Sequence, residues 1–249
     1  MIASLSMYPF AHLRDAYDTF WSVLRSHLPA SVDPPDSLAW DVDLDTALSS
    51  PALAMGQTCA WPLVTRQAHL TAIGSFDVVA PFAAGGRYRS VLVASKPLGI
   101  EHWKADPAAV VARNGPDSLS GWISLQWAWR GTPDRVVTTG GHVASMRAVA
   151  AGEAQVASID ALSFEFLAES EPATVGHLNI IDHGPLVPSL PLAAHRSVAH
   201  VDDFRAAIEA TLADPRAAEA CARLRIRGFV PFDDADYQTV RSLVPPPAH

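Results

Sequence analysis

AVVARNGPDSLSGWISLQWAW (109–129), running on into RGTPDRVVTTGGHVASMRAVAAGEAQVASID (130–160), reads as strand, polar turn, helix, strand, glycine turn, helix, strand. Both turns carry small or polar residues where a helix begins: Asp117, Ser118 and Ser120 in the first, Gly140, Gly141 and His142 in the second. Within the first helix, Leu119, Trp122, Ile123, Gln126 and Trp127 recur at helical spacing, which predicts one buried stripe. Within the second, Val143, Met146, Val149 and Ala150 make the apolar face, and Gly152 suits the position just past the helix end. Residues 155–159 form a buried strand that stops at Asp160. A helix start presents unpaired backbone N–H groups and a partial positive charge, so two of them aimed at one cleft would make an anion site.

Outward from that stretch the alternation continues. Residues 2–7 suit a short strand, and 12–27 place Leu13, Ala16, Tyr17, Phe20, Leu24 and Leu28 near one helix face before Pro29 stops it. PASVDPPD (29–36) leads to a strand expected at 38–42. GQTCAWPL (56–63) is a loop between two further strands, with Pro62 placed for a helix start. RYRSVLVAS (87–95) is rich in β-branched residues and reads as a strand. After 160, a helix (162–169) and a strand (178–182) lead into HGPLVPSLPLAAH (183–195), whose prolines require an extended segment. Helices follow at 202–212 and 215–224, and the PPPAH tail (245–249) is expected to be disordered.

This pattern predicts an α/β protein with mostly parallel sheets flanked by helices. Crossing points near 83–92 and 182–190 divide it into a discontinuous lobe (1–86 plus 186–249) and an inserted lobe (87–185), a hinged, ligand-trapping arrangement.

Composition narrows the function. A net charge of −8, from 18 basic and 26 acidic residues, argues against a nucleic-acid partner, whose face needs clustered Lys and Arg. No apolar run approaches the roughly 20 residues that span a bilayer, so membrane insertion is not expected. MIASLSMYPF lacks the basic start and long apolar core of a signal peptide; the protein is cytoplasmic, or the chain begins at a mature start and the protein is periplasmic. Cys59 and Cys221 match no metal or redox spacing. The histidines His177, His183, His195 and His200 lack ligand spacing, and no nucleotide or dinucleotide motif occurs, so no metal and no cofactor is expected.

Individual residues leave alternatives open. Ser118 and Ser120 are anion contacts or N-caps, and the two roles are compatible. His142 is an anion donor or a structural histidine at a helix start, and Tyr88 is hinge packing or a ligand contact. Asp160 orients His142, reads a donor on the ligand, or caps the next helix. Gln57 and Thr58 precede a helix and could donate backbone N–H groups. The order Ser118, His142, Asp160 invites comparison with a hydrolase triad, but the strained GxSxG turn is missing.

Five segments together resemble a known family: GRYRSVLVAS (86–95), NGPDSLSGW (114–122), GGHVASMRAVAAGEAQVASID (140–160), PLVPSLPL (185–192) and LRIRGFVPFDDADYQTV (224–240). The chain looks like the phosphate, phosphite and phosphonate substrate-binding proteins of ABC importers, which have the type II periplasmic-binding-protein fold. The resemblance implies that the oxyanion is held by Ser118, Leu119 and Ser120 (a Ser-Thr-Ser turn in the family), by Tyr88 and by His142. Leu119 departs from the family's threonine, leaving only its backbone N–H as donor. Two carboxylates that hold an aminoethyl tail in some members fall at Leu162 and Leu190, and a lobe-one tyrosine falls near Gly56 and Gln57. A less cationic ligand is therefore expected: phosphonate, phosphite, phosphate or a phosphate ester. The resemblance also implies a membrane component of an ABC transporter as partner, and a monomer. The alternative is an enzyme or sensor of small organic acids on the same fold, with His142, Asp160 and Tyr88 as acid/base groups.

Overall fold

The computed structural model describes residues 1–198 and 200–243; the PPPAH tail lies outside the described residues. The chain forms two compact units. One comprises Met1–Val79, Ala84–Arg87 and Pro188–Gln238; the other comprises Ala80–Ala83, Tyr88–Val187 and the chain from Thr239.

In the first unit a five-stranded sheet has the order Ile2–Ser4, Leu53–Gln57, Pro191–His195, Leu70–Val78, Ile226–Val230. Helix Arg14–His27 buries Ala16, Tyr17, Phe20 and Leu24 as its spacing predicts, and Trp21 and Val23 besides, while Leu28 past its end is only half-buried. Phe20 meets Phe76 of the sheet edge to face, with ring centroids 5.4 Å apart. The strand expected at 38–42 is instead a loop. Side-chain contacts hold it against the helix: Trp40 Nε1 donates to Asp18 at 2.7 Å and the Arg14 guanidinium lies 5.0 Å over the Trp40 ring.

In the second unit the order is Val136–Thr138, Val111–Arg113, Val156–Ile159, Val91–Ala94, Asn179–His183. Val111–Arg113 pairs in parallel with both its neighbours, as the β-α-β-α-β reading of 109–160 requires.

Both sheets are mixed, rather than mostly parallel. Pro191–His195 runs antiparallel to both neighbours in its sheet, and Val91–Ala94 does the same in the other. Each of these strands follows closely on a passage of the chain from one unit into the other, at Val187 to Pro188 and Arg87 to Tyr88. Ile226–Val230 is a third antiparallel strand, beside Leu70–Val78.

The first helix of the organising stretch also departs from its expected face. Leu119–Ile123 forms a wide π-type turn before the α-helical Ser124–Trp129. One extra residue per turn rotates the later positions, so Leu119, Trp122, Ile123 and Leu125 are buried while Trp127 is 42% exposed.

Buried hydrogen bonds stabilise the first unit locally. Tyr237 is fully buried and its hydroxyl donates to the Gly74 carbonyl at 3.2 Å; burial pushes its phenol well above the ordinary range. Tyr237→Phe removes that buried bond, so we expect a loss of about 1–2 kcal/mol in urea unfolding with an unchanged m-value.

Candidate functional site

The loop after strand Val111–Arg113 sets the site. Ser118 adopts an extended conformation, and its Oγ accepts from Gly121 N at 3.0 Å, an N-cap on the wide turn. Asn114 lies against that turn. A Cβ at Gly121 would fall 1.9 Å from Asn114 Oδ1, so only glycine lets the amide occupy this place. Asn114 Oδ1 also accepts from Gly115 N at 3.0 Å.

His142 is the first residue of helix His142–Ala150, after Gly140 at φ +89° and an extended Gly141 that gives the helix no side-chain cap. Thr139 secures this turn: its Oγ1 lies 3.1 Å from the Arg113 carbonyl and 2.6 Å from Ser145 Oγ. The imidazole of His142 then comes within 2.9 Å of Ser120 Oγ and 3.3 Å of Asn114 Nδ2, both measured from Nε2.

The other ring nitrogen fixes the tautomer. Asp160 N donates to His142 Nδ1 at 3.4 Å, and a backbone N–H cannot accept, so Nδ1 is bare and Nε2 carries the proton. Nε2–H donates to Ser120 Oγ. The Ser120 hydroxyl hydrogen and the Asn114 amide hydrogens therefore keep no acceptor in the ring. Burial lowers the His142 pKa, against a smaller upward pull from the Asp160 charge, so the ring is a neutral donor.

Asp160 is 2% exposed. Its Oδ1 accepts from Ser163 N at 3.0 Å, capping helix Ala161–Ser170, while Oδ2 is buried with no hydrogen-bond partner among the described residues. Ser158, also buried, donates to the Ser120 carbonyl at 2.5 Å and ties the wide turn to strand Val156–Ile159.

Ser118, Leu119, Ser120, His142 and Asp160 thus gather in the second unit. Tyr88 is buried in the same unit, in the short strand Arg87–Tyr88. Gln57 and Thr58 belong to the first unit. Thr58 does not offer the expected donors: its N–H bonds the Pro191 carbonyl at 3.0 Å and its hydroxyl bonds Gln67 Oε1 at 2.9 Å. Gln57 is buried with Oε1 unpartnered among the described residues. Sequence reasoning missed Asn114, whose part depends on Gly121 lying across from it, and Ser158, which shows no motif.

The hydrogen bonds argue against a hydrolase triad. Ser120, not Ser118, meets the histidine, and a protonated Nε2 cannot take the serine's proton. The Asp160 group that meets the ring is its N–H; the carboxylate caps a helix instead. Among the described residues no cluster of three or more His, Cys, Asp or Glu could hold a metal ion.

The depressed His142 pKa has a pH consequence. A histidine titrating lower when folded than its ordinary 6.5 contributes stability above that value, lost as pH falls below it. The stability difference between wild type and His142→Gln should therefore shrink below about pH 6.5, measured by urea midpoints from pH 8 to 5; a constant difference would contradict the neutral assignment.

The profile of the "ABC transporter, phosphonate, periplasmic substrate-binding protein" family matches residues 53–237. The chain is similar in fold to a binding protein component of an ABC phosphonate transporter from Pseudomonas aeruginosa, with TM-score 0.75, 18% identity, and coverage of 97% of this chain and 84% of that one. It is similar also to PhnD1 from Prochlorococcus marinus in complex with methylphosphonate, with TM-score 0.70, 12% identity, and coverage of 97% and 95%. A protein from Xanthomonas citri bound to ATP follows, with TM-score 0.67, 12% identity, and coverage of 97% and 94%. Among curated proteins none matches in sequence. No helix among the described residues is long and apolar enough to cross a membrane. With its type II periplasmic-binding-protein fold, the chain belongs to the periplasmic substrate-binding protein family of phosphonate ABC transporters and is a solute-binding protein.

Proposed function

We propose that the cluster around His142 binds a small phosphorus oxyanion: a phosphonate, phosphite, phosphate or phosphate ester. One observation carries the reading. The Ser120 hydroxyl and the Asn114 amide, whose hydrogens find no acceptor in the ring, converge within 3.3 Å of His142 Nε2–H beside a helix start with no side-chain cap, and a bound anion would share the Nε2–H that Ser120 Oγ accepts in the free protein. These are neutral donors, suited to an anion that brings the charge itself. The Leu119 N–H and Tyr88, in the same unit, are further contacts in this reading. Thr58 is left out, because its donors are engaged.

Leu162 and Leu190, both buried, provide no carboxylate for a cationic tail. The ligand is therefore a plain or weakly substituted oxyanion. The solute is delivered in the periplasm to the membrane component of an ABC transporter, a reading supported by the family's description, and the protein acts as a monomer in this proposal.

Titration calorimetry with phosphate, phosphite, methylphosphonate, a phosphate monoester and 2-aminoethylphosphonate tests the reading. We expect micromolar binding, about −8 kcal/mol, for at least one of the first four, and at least tenfold weaker binding of the aminoethyl compound. No heat and no thermal shift with any of them would overturn it.

A further inference from the structure

One of the donors around His142 is chemically fragile. The chain has two asparagines, Asn114 and Asn179, and Asn114 is followed by a glycine. The backbone nitrogen of the next residue can attack an asparagine side-chain amide, and it does so fastest when that residue has no Cβ to crowd the approach. The attack needs the nitrogen held about 3–3.5 Å from the amide carbon, in a loop free to close the ring.

Asn114 meets these conditions. It lies just past strand Val111–Arg113, half-buried and within reach of water. Gly115 N is 3.0 Å from its Oδ1, which places the amide carbon bonded to that oxygen beside the same nitrogen. Nothing lies within 4 Å of where a Gly115 Cβ would be, so the backbone has room to move. The side chain is held in this pose by Gly121, which it overlies, and by His142 Nε2, 3.3 Å from Nδ2. Asn179 differs on each count. It sits in strand Asn179–His183, its Nδ2 donates to the Ala94 carbonyl at 3.4 Å, and the β-branched Ile180 follows it.

We propose that Asn114 and Gly115 form a deamidation site whose conversion switches off the His142 cluster. Gly115 N forms a bond to Asn114 Cγ and gives up its proton to water; the Cγ–Nδ2 bond breaks and the nitrogen leaves as ammonia. Water then opens the cyclic imide at either carbonyl, giving an aspartyl or isoaspartyl residue. A neutral donor amide thereby becomes a carboxylate beside His142 Nε2 and Ser120 Oγ. It accepts where the amide donated, and it repels an incoming anion as a like charge. The covalent change stands on Asn114 and Gly115 alone, whereas the loss of binding rests on the reading of the cluster as an oxyanion site.

Purified protein is incubated at pH 8 and 37 °C, sampled by peptide mass mapping, and titrated with phosphate, phosphite, methylphosphonate and a phosphate monoester. The peptide holding Asn114 should gain the mass difference between NH2 and OH about tenfold or more faster than the peptide holding Asn179, with binding-competent sites falling in step. Gly115→Ala should slow that conversion by about tenfold or more. It should fold, because its Cβ enters open space and φ there is not left-handed. Fresh Asn114→Asp, with folding verified by circular dichroism, should bind the tightest of the four anions at least about tenfold more weakly than fresh wild type. Conversion at Asn114 no faster than at Asn179 would overturn the proposal and leave the oxyanion site standing. So would converted protein and Asn114→Asp that bind as fresh wild type does. Fresh wild type that binds none of the four would remove the oxyanion site, and the loss of binding with it, whatever the masses show.

Discussion

His142→Ala is expected to weaken phosphorus-oxyanion binding by roughly a hundredfold, and Ser120→Ala by roughly tenfold, in calorimetric titrations of folded protein. Removing the imidazole deletes the Nε2–H donor and releases the Ser120 hydroxyl that it orients at 2.9 Å. It also leaves Asp160 N without its acceptor. A hydrogen bond to a charged group is worth roughly 1.5–3 kcal/mol, so losing one directly and loosening a second amounts to about two decades in affinity. Ser120→Ala removes one hydroxyl and keeps the ring. Since the two side chains share one bond, the double variant should lose less than the sum of the single losses. Strict additivity would mean that the two side chains act independently, and an unchanged affinity in His142→Ala would mean that the ligand is held elsewhere.

Gly74→Ala is expected to destabilise the protein by about 4 kcal/mol or more, or to prevent folding, read from urea unfolding and soluble yield. Gly74 lies inside Leu70–Val78, the strand flanked on both sides by antiparallel partners, and its φ is +155°. An added Cβ would sit 2.4 Å from Phe229 Cζ and 2.6 Å from the Val230 carbonyl oxygen. One obstacle is an aromatic ring and the other is backbone, so neither can move without opening the sheet, and the backbone conformation is itself strained for any residue with a side chain. Gly99→Ala is the control: φ is −61° there and nothing lies within 4 Å of the added methyl. It should change stability by less than about 1 kcal/mol. Equal behaviour of the two variants would contradict this account of the sheet.

The organising stretch was legible in the sequence because its signals are local. Strand alternation, the polar run before Leu119 and the glycine pair before His142 each act within a few residues. They placed Ser118 at a cap and His142 at a helix start, where the structure has them. Strand direction was not legible, because Val91–Ala94 and Pro191–His195 take their direction from partners far away in sequence, Val156–Ile159 and Leu70–Val78. Trp127 escaped its predicted burial because a π-type turn shifts the helical phase, and spacing rules assume an α-helix throughout.

Within the site the division is similar. Ser120, His142 and Asp160 stood out as residue types at element ends. Asn114 and Ser158 did not, since their parts depend on a glycine and a carbonyl brought near by the fold. Thr58 looked available because an unpaired N–H before a helix is the usual state, yet Pro191, far away in sequence, supplies its acceptor.

The most direct test of the central claim is the nitrogen NMR spectrum of the histidine imidazoles, with His142 assigned by its loss in His142→Gln, recorded before and after adding methylphosphonate. A neutral ring protonated at Nε2 in the free protein, with that resonance shifting strongly on titration while the other histidines stay in place, is the predicted result. A ring protonated at Nδ1, or a His142 signal unmoved at saturating ligand, would contradict it.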